Sequence, residues 1–176
     1  SAQIPPVAFS SAETLRRVHR LRSEVAAIMV GTATALLDNP SLTVRHWSGQ
    51  SPVRVVLDRT LKIPNEACLL DGSVRTLVFT ECEAENRPNV EYVQTDFKQD
   101  VLPQVLHYLY KQKLNSLMVE GGSLLLQSFL NAGLWDEAWI ETAPVLLGDG
   151  VRAPIVTGKV CKSEWRAEHL LEIWHR

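Results

Sequence analysis

Residues 117 to 136 read LMVEGGSLLLQSFLNAGLWD, an apolar run that ends on a carboxylate, passes two glycines and resumes at helical spacing. That is the pattern of strand, glycine turn and helix. Backbone N–H groups at a helix mouth lack partners and carry partial positive charge, so a phosphate docks there if no side chain blocks it. Gly121 and Gly122 remove the block and Ser123 adds a hydroxyl donor, while Leu125, Leu126, Phe129 and Leu130 give the helix an apolar anchor. The spacing is neither G-x-G-x-x-G nor a P-loop, and a tight turn without a ligand reads equally well from it. Glu120 stands where ligands of open α/β sheets bind, beyond the carboxyl end of a strand. It is either an acceptor for ligand hydroxyls or amines, or a charge that stabilises the following helix.

A second group of polar residues lies in GTATALLDNPSLTVR, where Thr32, Thr34, Asp38, Asn39, Thr43 and Arg45 share one loop after a buried strand. Function concentrates on such loops. Arg45 could grip a phosphate in bidentate fashion or be a solvated charge. Arg22 has the same two readings, with Arg16, Arg17 and Arg20 beside it. His19 reads as a surface or packing residue, and no Ser/His/Asp or Cys/His arrangement stands out.

These residues need elements to hold them. Ser10 and Glu13 form a capping-box pattern ahead of Leu15, Val18 and Leu21, which fit one helix face. Short apolar runs at 25–30, 52–58, 76–80 and 90–94 read as strands, and 31–40 as a loop with one helical turn. Residues 100–113 place Leu102, Val105, Leu106 and Leu109 on one helical face. A long strand is expected over 137–147, closed by Gly148, Asp149 and Gly150, while the tail WRAEHLLEIWHR is ambiguous between helix and strand. Alternating strands and helices predict one α/β domain over 1–176 with a mainly parallel sheet, and the late strands predict an antiparallel edge.

The 176 residues carry 18 basic and 20 acidic side chains, a formal charge of -2 that gives no general attraction to nucleic acid or an anionic membrane. Cys68, Cys82 and Cys161 are widely spaced, so neither a zinc site nor a disulfide framework is expected. No apolar run approaches the roughly 20 residues of a membrane span. A cytoplasmic setting is the simplest expectation.

IMVGTATALLDNPSLTVR, SPVRVVLDR and LMVEGGSLLLQSFLNAGLWDE together resemble, in order and spacing, the reductase domain of the bifunctional riboflavin-biosynthesis deaminase/reductase. HRLRSE and VLLGDG agree with it. The resemblance implies a dihydrofolate-reductase-like fold with flanking helices, a homodimer, and NADPH as cofactor. The implied reaction turns 5-amino-6-(5-phosphoribosylamino)uracil into its ribitylamino form. By matched position, Thr34, Asp38 and the run Gly122, Ser123, Leu124, Leu125, Leu126, Gln127 and Ser128 are implied cofactor contacts. Arg22, Leu42, Arg45 and Glu120 match substrate-binding positions. Arg59 stands where the family often has a serine that touches the cofactor, and either favours a 2′-phosphate or is solvated.

The sequence also departs from the pattern. The family's opening strand and A-S-x-D-G turn have no counterpart, and an aromatic residue common before the first helix is replaced around Val7, Ala8 and Phe9. A truncated domain is therefore expected, and the tail looks short for two last strands. The deaminase signatures H-x-E and P-C-x-x-C are absent from these residues. Two other readings stay open: another reductase of the same fold, or a non-catalytic binding module in which Trp135 and Trp139 serve an interface.

Overall fold

The apolar runs become five parallel strands in the computed structural model of the chain, which describes residues 11–146 and 150–176. The strands are β1 (Ala27–Gly31), β2 (Val53–Leu57), β3 (Thr76–Thr80), β4 (Val90–Gln94) and β5 (Leu117–Gly121). They lie in the order β4-β3-β2-β1-β5, all neighbours parallel. Successive side chains of a strand point to opposite faces, and here both faces are covered. Ile28, Val30, Val56, Val78 and Val90 pack under Ala35 of α2 (Thr32–Asp38) and under Leu42, Ile63 and Leu69 of the following loops. Ala27, Met29, Val55, Leu77 and Phe79 pack under Val105 and Leu109 of α3 (Val101–Lys111) and Leu125 and Phe129 of α4 (Ser123–Asn131). The central strands β1 and β3 are buried almost throughout and carry no charge, which is why they could be read without alternation.

The antiparallel part forms a separate three-stranded sheet, with β6 (Glu137–Thr142), β7 (Lys159–Arg166) and β8 (His169–His175) in the order β6-β8-β7. The long strand expected over 137–147 ends at Thr142. The tail that was ambiguous, and that looked too short for two strands, supplies β8 and the end of β7, Trp165 and Arg166, the rest of β7 coming from the residues before it. Gly148 and Asp149 lie outside the described residues, as do Val7, Ala8, Phe9 and Ser10. Among the described residues, no helix is long and apolar enough to cross a membrane.

Helix α1 (Ala12–Glu24) differs from its sequence reading in how it docks. Its N-cap is Ser11, whose hydroxyl accepts the Thr14 N–H at 3.1 Å. Its buried residues are Thr14 and His19, while Leu15 faces solvent. The helix is held by polar contacts at both ends. Near its start, Thr14 donates to Glu141 of β6, which also receives Arg17 at 3.3 Å and meets His169 at 2.8 Å. Its far end reaches the five-stranded sheet through Arg22.

Candidate active site

Strands β1 to β4 add in one direction, and the chain then returns through α3 to place β5 on the other side of β1. At such a reversal the carboxyl ends of two neighbouring strands open into a crevice, the usual ligand position of open α/β sheets. Here the crevice is bounded by Gly31 and α2 on one side and by Glu120, Gly121, Gly122 and α4 on the other.

Glu120 and Arg22, far apart in sequence, meet in this crevice. The Arg22 Nε and Nη2 donate to the two carboxylate oxygens, each at 2.6 Å, and Nη1 donates to the Thr43 carbonyl at 3.0 Å. Both side chains are largely buried, 11% and 17% exposed. A fork of this kind fixes the carboxylate in position and orientation. A carboxylate has about four lone-pair directions, so this one can still accept hydroxyl donors from a ligand.

The glycines give the crevice its second feature. The N-cap of α4 is Gly122, with no side chain capping the helix. The Gly121–Gly122 peptide is cis and packs on Thr34, whose Oγ1 would lie 3.0 Å from a Cβ built on Gly122. Thr34 and the Gly-Gly turn are thus in contact, and a side chain on Gly122 would crowd that contact. An uncapped helix mouth suits a pyrophosphate. Of the α4 run, Leu124 is exposed, while Leu125 is buried in the sheet core and can offer a ligand only backbone. Ser128 returns its hydroxyl to the Leu124 carbonyl at 2.8 Å, and Gln127 clamps Ile155 by accepting its N–H at 2.8 Å. Leu126 donates its N–H to the Gly122 carbonyl at 3.1 Å, which leaves Ser123 nearest the helix mouth.

The loop between α2 and β2 carries the other sequence-derived candidates. Leu42 is buried and left-handed, with φ 53°, a conformation a leucine adopts only when its surroundings impose it. Arg45 is exposed, with its guanidinium on the Ser41 hydroxyl. Its backbone N–H donates to His19 Nδ1 at 3.0 Å, so the neutral His19 ring carries its proton on Nε2. Burial holds the His19 pKa below its ordinary value, helped by the charges of Arg22, His46 and Arg45 and opposed by Glu120. Asp38 ends α2, exposed to solvent.

Arg59 follows β2 and lies apart from the glycine turn. It lines a cavity of about 410 Å³ with Thr32, Asp58, Thr60, Lys62 and Glu81. A second cavity, about 430 Å³, continues past the ends of β3 and β4 and shares Glu81. Both follow the carboxyl edge of the sheet. Asp58 is buried and engaged locally, accepting the Lys62 N–H at 2.9 Å and the Ile63 N–H at 2.8 Å.

Arg54, read only as part of a strand, also bears on the site. It is fully buried and directs Nη1 to the carbonyls of Cys68 at 3.0 Å and Ser41 at 3.3 Å, beside Leu42. A charge inside the run VRVVLD was the signal, since an arginine is almost never fully buried unless paired. Among the described residues no group of three or more His, Cys, Asp or Glu side chains is placed to hold a metal ion.

Known proteins resemble the chain in sequence and in fold. The family model described as RibD C-terminal domain matches residues 5–174. A 2,5-diamino-6-ribosylamino-4(3H)-pyrimidinone 5′-phosphate reductase of Methanothermobacter thermautotrophicus is 37% identical over 160 residues, covering 86% of this chain and 74% of the relative. Riboflavin biosynthesis protein RibD of Bacillus amyloliquefaciens is 34% identical over 152 residues, 81% of this chain but 41% of its own length. The crystal structure of a Thermotoga maritima diaminohydroxyphosphoribosylaminopyrimidine deaminase/5-amino-6-(5-phosphoribosylamino)uracil reductase superposes with a TM-score of 0.83 at 30% identity. The match covers 94% of this chain and 49% of that one, so the chain spans about half the length of the bifunctional protein.

Proposed function

The chain belongs to the RibD C-terminal domain family, and from this premise we propose that it is a riboflavin-biosynthesis reductase that uses NADPH to reduce the ribosyl group of a phosphoribosylamino-pyrimidine to a ribityl chain. The observation that carries the reading is the Arg22–Glu120 fork set beside the uncapped mouth of α4 in one crevice.

NADPH, when bound, supplies the hydride for C1 of the opened sugar. The chain's own residues position the partners, because the cofactor carries the chemistry and near-attack geometry is what the protein adds. Glu120, oriented by Arg22, accepts hydrogen bonds from the sugar hydroxyls. Arg45 extends from the Leu42 loop, which β2 supports through Arg54, and binds the substrate phosphate. Thr34 and the first turn of α4 frame the cofactor phosphates, Arg59 lies along the same carboxyl edge, and Asp38 is assigned to the cofactor by its matched position alone.

The substrate ring is either the uracil expected from the sequence or the diaminopyrimidinone named for the Methanothermobacter relative. The two differ at C2, oxo in the first and amino in the second. The step assigned to these 176 residues, which carry neither deaminase signature, is the reduction. A cytoplasmic setting belongs to the same reading.

A fluorescence titration with NADPH and NADH, followed by turnover of both pyrimidines, tests the assignment. Saturable binding that prefers NADPH, with oxidation of NADPH dependent on one pyrimidine, is the expected result. Binding of neither nucleotide would overturn it in favour of a non-catalytic module.

We also propose a homodimer formed through the small sheet. Trp165 and Leu170 pair across β7 and β8, as do Val160 and Trp174, so these four share one face. Trp165 and Val160 are exposed on it. Light scattering should give twice the chain mass, and Trp165→Ser should lower it toward the monomer; a monomeric parent protein would refute the proposal.

A further inference from the structure

The two cavities past β2, β3 and β4 meet at Glu81, and its partner there is Arg59. The Arg59 Nε donates to Glu81 Oε2 at 2.8 Å, and the guanidinium lies 5.9 Å from the centre of the Phe97 ring. The backbone beneath the pair is fixed. The Arg59 carbonyl accepts the Glu81 N–H and the Thr80 hydroxyl, each at 3.0 Å, while Asp58 closes the following turn. The side chains are not so constrained, 56% and 35% exposed. An ion pair this open to water contributes little to stability and separates at small cost. A rigid base thus presents a cation and an anion that can each turn to a ligand.

Resting on the dinucleotide reading above, we propose that Arg59 and Glu81 act together as the selector between NADPH and NADH at the ribose 2′ position. The planar guanidinium matches a 2′-phosphate in two parallel hydrogen bonds while it lies over Phe97. To reach the phosphate, Arg59 must leave Glu81, whose carboxylate then stands unpaired beside a second anion. A 2′-hydroxyl makes no such demand, since it donates to Glu81 while Arg59 keeps its place. Arg59 therefore favours NADPH and Glu81 limits that preference. The other carboxylates of the two cavities are engaged elsewhere, Asp58 with its own turn and Asp96 with the Lys98 N–H and the Gln99 amide. Lys62 and Lys98 line the cavities as further cations.

The test measures dissociation constants of NADPH and NADH for the full chain, for Glu81→Gln and for Arg59→Ala, by nicotinamide fluorescence. The two nucleotides differ only at the 2′ group, so their affinity ratio cancels any general effect of a substitution. Glu81→Gln should raise the NADPH over NADH ratio by about tenfold, and Arg59→Ala should lower it by at least as much, the scale of one charge-assisted contact. An unchanged ratio in Glu81→Gln, with NADPH bound by the parent protein, would overturn the selector and leave the proposed function standing. A parent protein that binds neither nucleotide would overturn both.

Discussion

Replacing Arg54 with methionine is expected to lower the unfolding free energy by about 3 to 5 kcal/mol, the cost of removing one partner from a buried ionic network. No water reaches this side chain. Its Nε donates to Thr76 Oγ1 at 2.9 Å, and Nη2 donates to Asp71 Oδ1 and the Val74 carbonyl, both at 2.8 Å. With Nη1 on Cys68 and Ser41, one guanidinium ties β2 to β3 and to two loops. Methionine fills much of the volume but leaves the acceptors without donors. Arg54→Lys should recover only part of the loss, because an ammonium has three donors and no planar fork. Urea unfolding with an unchanged m-value would read the effect; a midpoint within error of the parent protein would refute the role.

The same network predicts an acid limb. Burial alone would push the Asp71 carboxyl up, but the hydrogen bonds from Arg54 and from the Ser73 hydroxyl and N–H hold it at about 2. A carboxyl whose folded pKa is depressed stabilises the fold above its unfolded pKa, near 3.8, and that contribution is lost as pH falls toward 2. Arg54→Met should remove most of this dependence between pH 4 and 2. Asp71 is 45% exposed, which makes the limb shallow beside the loss at neutral pH.

The second large effect is expected on turnover. Glu120→Gln should reduce kcat/KM for the pyrimidine by about 10²-fold to 10³-fold, as charge-assisted hydrogen bonds to the sugar are lost together with the fork from Arg22. The amide presents one oxygen where the carboxylate presented two, and its NH2 faces an Arg22 donor. NADPH affinity should change by no more than about threefold, because the α4 mouth binds through backbone N–H groups. Steady-state rates combined with the nicotinamide titration separate the two. Equal losses in turnover and nucleotide binding would show that Glu120 holds the crevice together and does not contact the sugar.

Strands β1 and β3 were legible because burial on both faces leaves the runs VAAIMV and TLVFT without a charge. The sequence also placed Glu120 and Gly122 at the mouth of a helix, because the change from strand to helical spacing falls on them. What it did not show depends on contacts distant along the chain. Nothing local says that Arg22 of α1 forks onto Glu120 of β5, or that Arg54 reaches Ser41 and Asp71. Helix α1 was misread at its start and along its face for a related reason. It docks through Thr14, Arg17 and Arg22 on two glutamates, and an apolar stripe is a poor guide to a helix fastened that way. The tail was ambiguous because β7 and β8 are partly exposed throughout, apart from Leu171, so neither face is marked by a clean alternation.

The order of the strands also decides when the crevice can exist. Strands β1 to β4 join neighbours that follow one another along the chain, whereas β5 must close a loop of about ninety residues to pair Leu117 with Ala27. Loop-closure entropy makes that seam the most demanding ladder of the parallel sheet to assemble, and the crevice lies on it. A partly folded chain holding only β1 to β4 would bury much of the core yet have no docked Glu120, no glycine turn against Thr34 and no carboxylate for the fork of Arg22. Ligand competence therefore belongs to the complete sheet alone, and a ligand bound across the seam would act as a clamp on the ladder that is costliest to close.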